Sequence, residues 1–122
     1  LRGASAGQLE RLAARLDEPT MWEAYLATLS AHGLGVGTPD ETKASLLANA
    51  RDSPSYGALW DLAEALLSHD ELCAQWRALH ATVVERQIGY KAGTGGSSGV
   101  RYLRDRRDLR FFPLLWELRT EL

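Results

Sequence analysis

Between about Tyr56 and Tyr90 the apolar residues fall at helical intervals, with Leu59, Leu62, Leu66, Cys73, Trp76, Val83 and Val84 forming one stripe. That spacing fits a helix with one face turned to a core. A helix of this length exceeds the usual three or four turns of globular proteins, so it sets the frame against which everything else must pack. Ser68-His69-Asp70 is where a bend or break is expected, because Ser and Asp side chains compete for helix backbone groups. Period-2 alternation is absent and no internal repeat occurs, so the chain is expected to be all-α.

Start and stop signals divide the rest. Ser5 and Gln8 have capping-box spacing ahead of Leu9, Leu12 and Leu16. Asp17-Glu18-Pro19-Thr20 ends that helix and opens another, whose apolar face is Trp22, Tyr25, Leu26 and Leu29 and whose stop is Gly33. Thr38-Pro39-Asp40-Glu41 places a cap, a proline at the first helical position and a glutamate two residues on, which predicts a helix through about Ala50. Arg51 to Ser55 is expected to be loop. Gly93 to Gly99 cannot be helical, Ser98 is positioned to cap a short helix, and Phe111-Phe112-Pro113 opens a last apolar one.

The composition suits a soluble, one-domain chain: 122 residues, 45% hydrophobic, 25% charged, net charge -2. The balance gives no basic excess for nucleic acid and no acidic tail. A single cysteine, Cys73, rules out an internal disulfide and a cysteine-based zinc knuckle, and no C-x-x-C-H is present for covalent haem attachment. A reducing, cytoplasmic setting is the expectation. No apolar run reaches the roughly 18 residues of a membrane span. The chain opens at Leu1 without Met and its apolar helix faces exceed what it can cover. It is therefore expected to be one piece, residues 1–122, of a larger fold.

Few residues can carry chemistry. His80 follows Trp76 by four residues and Cys73 by seven, so it lies on the apolar stripe. A neutral imidazole on a rigid apolar helix is the setting of a metal ligand, and on spacing alone more often that of a core histidine. His32 and His69 are placed near helix ends, facing water. Residues 93–99 hold four glycines, two serines and one threonine, which allows backbone to approach a ligand closely and offers N–H groups to an anion. The same composition also suits a linker. It matches neither a dinucleotide fingerprint nor a P-loop. Arg101, Arg104, Arg106, Arg107 and Arg110, interleaved with Asp105 and Asp108, either bind carboxylates or pair among themselves. Trp22, Trp60, Trp76 and Trp116 are read as packing residues. With no carboxylate dyad, triad or metal-ligand spacing, catalysis would have to come from a cofactor.

Three segments together resemble one family. Lys91 to Gly99 (Lys-Ala-Gly-Thr-Gly-Gly-Ser-Ser-Gly) is similar to the signature loop of the tryptophan 2,3-dioxygenases. Trp76-Arg77-Ala78-Leu79-His80 resembles that family's W-R-x-x-H, and Phe111-Phe112-Pro113 with Arg119-Thr120 resembles its F-F-P…R-T close. The order of the three and the separation from His80 to Thr94 also fit, and the likeness is strongest from about Trp76 onward.

The resemblance implies an all-α helical bundle forming part of a haem-binding oxygenase fold, with this chain as its C-terminal half. It implies non-covalent haem b with His80 as proximal iron ligand, Arg77 beside a haem propionate, and Thr94, flanked by Gly93 and Gly95, at the substrate's ammonium and carboxylate. The implied reaction is dioxygenation of L-tryptophan to N-formylkynurenine, the first step of tryptophan catabolism by the kynurenine pathway, in a homotetramer. The family's distal residues belong to an N-terminal half that nothing here matches. Three other readings stay open: a haem monooxygenase acting on a tryptophan derivative in secondary metabolism, a non-catalytic haem-binding helical module, and a purely structural helical interaction domain in which His80 is core and the glycine stretch a linker.

Overall fold

Each of the first three helices begins where a hydroxyl side chain can answer a free backbone N–H. A computed structural model of the chain describes residues 3–52, 57–93 and 96–122. In it Ser5 caps α1 (Ala6–Leu16) and Thr20 caps α2 (Met21–Ala31), both as complete capping boxes. The Gln8 amide donates to Ser5 Oγ at 3.3 Å and the Ser5 amide to Gln8 Oε1 at 2.8 Å. The Glu23 amide donates to Thr20 Oγ1 at 3.1 Å and the Thr20 amide to Glu23 Oε2 at 2.7 Å. Each cap of this kind stabilises its helix by about 1 kcal/mol.

The helix α2 ends in a Schellman turn around Gly33, which has φ +83°. The Leu34 amide donates to Leu29 O at 3.1 Å and the Gly33 amide to Ser30 O at 2.9 Å, and both leucines are buried. Next, α3 (Pro39–Asp52) starts with the Glu41 amide donating to Thr38 Oγ1 at 3.1 Å. The Glu41 carboxylate turns back to accept from the Gly37 amide at 2.8 Å. A Cβ on Gly35 would lie within 2.3 Å of Glu41 Oε1, so that carboxylate occupies the space a side chain would need. Arg51 and Asp52, expected as loop, continue the helix; Ser53 to Ser55 lie outside the described residues.

The chain forms two compact units, residues 1–45 and 46–122. In the first, α1 buries no residue: Leu9, Leu12 and Leu16 are all exposed. Tyr25, Leu29, Leu34 and Thr42 are its buried side chains.

The second unit is built on α4 (Gly57–Ile88), 32 residues and so about 48 Å long. Against it pack α5 (Val100–Asp105) and α6 (Pro113–Leu118), the latter opened by its proline as expected. The core gathers Leu59, Ala63, Leu66, Leu67 and Ala81 from α4 with Val100, Phe112, Leu115 and Leu118. Full burial of each large side chain contributes about 1.5–3 kcal/mol. Among the described residues there is no strand, in agreement with the all-α expectation.

Two expectations for α4 fail. The helix runs through Ser68-His69-Asp70 without a break, because the Asp70 carboxylate is engaged by the C-terminal segment rather than by its own helix. His69 is thus in mid-helix, though exposed. The apolar stripe is also two lines. One, through Leu59, Ala63, Leu66 and Asp70, is buried; the other, through Leu72, Trp76, Leu79 and Val83, is exposed.

A candidate haem-ligand site on α4

Positions three and four apart share a helix face, and this brings Trp76, Val83 and Val84 around His80. His80 is half-buried. Its ring lies 4.9 Å, centroid to centroid, from the Trp76 indole, at 43° between planes. It makes no hydrogen bond to any described residue. Trp76 is 63% exposed, as is nearly the same fraction of Leu79. The expectation that Trp76 is a packing residue therefore fails within this unit. His80 stands instead at the edge of an uncovered apolar surface.

Arg77 points elsewhere. Its Nη1 donates to Leu109 O at 2.6 Å and its guanidinium lies 5.1 Å from the Phe111 ring centroid. It therefore ties α4 to the segment leading into α6.

Asp70, which the sequence suggested only as a bend, is the centre of that tie. It is fully buried. Its Oδ1 accepts from the Phe111 amide at 2.8 Å, and its Oδ2 from the Phe112 amide and Trp116 Nε1, both at 3.0 Å. Burial pushes its carboxyl pKa up. The two amides, the indole N–H and the charge of Arg110 together outweigh burial and hold it below the ordinary carboxylate range. The F-F-P segment is thus fastened to α4 in a fixed register. The available signal was an aspartate in helical step with Leu59, Ala63 and Leu66.

The described residues of the glycine loop bond to one another. The Gly93 amide donates to Ser97 O at 3.1 Å, the Gly96 amide to Gly93 O at 3.1 Å and the Gly99 amide to Ser97 Oγ at 3.3 Å. Gly99 has φ +63°, and a Cβ there would lie 2.5 Å from Lys91 O. Glycine is required on both counts. Gly99, and not Ser98, is the residue that precedes α5, without a side-chain cap. Gly93 is half-buried at the loop's start; Thr94 and Gly95 lie outside the described residues.

The arginine cluster pairs partly within itself and partly outward. Arg104 pairs with Glu85, and Arg107 reaches both oxygens of Asp108 at 3.0 Å. Arg106 lies over Tyr102 and Arg110 over Trp116, at 4.5 and 4.1 Å from the ring centroids.

What could such a surface hold? Among the described residues no three His, Cys, Asp or Glu side chains are grouped to bind a bare metal ion. One unpaired imidazole within an apolar patch suits a metal whose other ligands come from a macrocycle, as in haem. The donor set fits that group. No helix among the described residues is long and apolar enough to cross a membrane.

Comparison with known proteins places the chain. The tryptophan 2,3-dioxygenase family model matches residues 33–122. A tryptophan 2,3-dioxygenase of a Nocardioides species is 50% identical over 121 residues, covering 99% of this chain and 45% of that protein. Those of Caulobacter vibrioides and Ralstonia pickettii are 38% and 35% identical, covering 93% of this chain in each case and 48% and 45% of the relatives. The chain belongs to the tryptophan 2,3-dioxygenase family, and spans about half the length of the curated relatives it matches.

Proposed function

We propose that this chain supplies the proximal side of a haem pocket in an enzyme that adds dioxygen across the indole C2–C3 bond of L-tryptophan, giving N-formylkynurenine. The observation that carries the proposal is His80: a half-buried imidazole with no hydrogen bond to a described residue, on an unbroken helix, bordered by exposed Trp76, Leu79 and Val83. When bound, haem b supplies the dioxygen chemistry. Everything else is positioning by protein groups.

In this reading His80 Nε2 holds the iron, and the α4 backbone fixes where that nitrogen stands. Arg77 keeps one N–H on Leu109 O and offers others to a haem propionate. The glycine loop closes over the substrate's amino-acid end. Gly93 and Gly95 permit close approach, and the Thr94 hydroxyl meets the ammonium and carboxylate groups. Closure excludes water from the reacting atoms.

The remaining walls, distal residues included, come from polypeptide outside residues 1–122, whether joined to this chain or separate. That polypeptide would also cover the Leu72–Val83 line and α1. We place the assembly in the cytoplasm as a homo-oligomer, a tetramer by family likeness. The test is product mass from L-tryptophan with the complete protein. Addition of two oxygen atoms supports the proposal; addition of one favours a monooxygenase, and haem without turnover a binding module. Thr94→Ala is expected to raise KM for L-tryptophan while haem content stays unchanged.

A further inference from the structure

Trp76 and His80 stand one turn apart on α4 with their ring centroids 4.9 Å apart. An indole exposed over 63% of its surface is not explained by the core of its own unit. The residues sharing its line, Leu72, Leu79 and Val83, are aliphatic and would cover an apolar ligand as well. The flat ring is the distinguishing feature. A ligating histidine usually has its second nitrogen held by a carboxylate or carbonyl, which fixes the ring's rotation. Here no described residue makes that hydrogen bond. The ring that stands beside the imidazole is the tilted indole, at a centroid spacing aromatic pairs favour.

We infer that Trp76 is a positioning residue for His80: its indole face sets the rotation of the imidazole about Cβ–Cγ, and with it the direction in which Nε2 meets the iron of a bound haem. The inference rests on the proposal that His80 is the iron ligand. A residue that merely covered the haem edge would be replaced by leucine without consequence for the iron–nitrogen bond. A residue that orients the ring would be replaced only by another flat ring.

The experiment uses the complete protein with Trp76→Leu and Trp76→Phe, haem-free and haem-loaded. In the haem-free protein the His80 Cε1–H resonance, assigned by its loss in His80→Gln, carries the indole's ring-current displacement. It is expected to lose that displacement in Trp76→Leu and keep it in Trp76→Phe. In the ferrous haem-loaded protein the iron–histidine stretching band is expected to broaden and shift in Trp76→Leu, with haem affinity lowered about tenfold. Trp76→Phe restores both. An iron–histidine band unchanged in Trp76→Leu overturns the inference, whatever the haem-free resonance does. So does a Trp76→Phe protein that behaves like Trp76→Leu. A wild-type protein with haem but no iron–histidine band overturns His80 as ligand, and the positioning with it, even where the haem-free spectra keep the ring contact.

Discussion

A carboxylate taken fully out of water is tolerated only where donors replace its hydration, and Asp70 has three. Asp70→Ala leaves those donors unpaired in the core and is expected to cost about 3 kcal/mol or more. Because the folded-state pKa lies below the unfolded value, this stability is present above the ordinary carboxylate pKa of about 4 and is lost as pH falls beneath it. Asp70→Asn keeps the shape and removes the titration. Denaturant melts between pH 3 and 6 (roughly the window around that pKa) check both: wild type weakens toward acid, Asp70→Asn much less. Equal acid slopes would show that Asp70 is not the titrating group. Tyr25 behaves oppositely. Burial pushes its hydroxyl up to about 12, above the ordinary value near 10. Its contribution is therefore full below that ordinary value and declines as pH rises beyond it. Alkaline denaturation should be steeper in wild type than in Tyr25→Phe, and identical slopes would contradict this. Of these residues the sequence pointed to Tyr25 as apolar face, but gave Asp70 only as a bend. Its partners lie forty or more positions away, and no local pattern encodes such a contact.

Elements were legible where their signals are local. The capping box at Ser5, the helix start at Thr20, the glycine stop at Gly33 and the proline start of α6 each rest on residues within a few positions of one another. Ser98 failed as a cap because the choice there is made at longer range: the Gly99 backbone passes too close to Lys91 O for any side chain. The stripe on α4 split in two because apolar spacing shows that a face exists, not which face meets this chain's own helices. Gly99→Ala tests the loop as an element. It is expected to add about 1–3 kcal/mol of local strain and to speed hydrogen exchange at the Gly93 and Gly96 amides. L-tryptophan affinity should fall with haem content unchanged. Exchange rates equal to wild type would mean that the loop tolerates a Cβ.

At the scale of the whole molecule, the second unit packs α5 and α6 on α4, fastened by Asp70, Arg77 and buried leucines, and it leaves a line of apolar residues beside His80 exposed. Sequence motifs placed the family and pointed to His80. They could not tell a core histidine from a ligand, because both occupy an apolar stripe. In the structure His80 borders exposed Trp76, Leu79 and Val83, and the spectrum of a bound haem decides between the two readings. The most direct measurement is the absorption spectrum of the complete, haem-loaded protein beside His80→Gly, each with and without free imidazole. Wild type should show a five-coordinate, histidine-ligated ferrous spectrum; His80→Gly should lose it and regain it when imidazole fills the space. A His80→Gly protein that keeps the wild-type spectrum without imidazole would contradict the assignment of His80 to the iron.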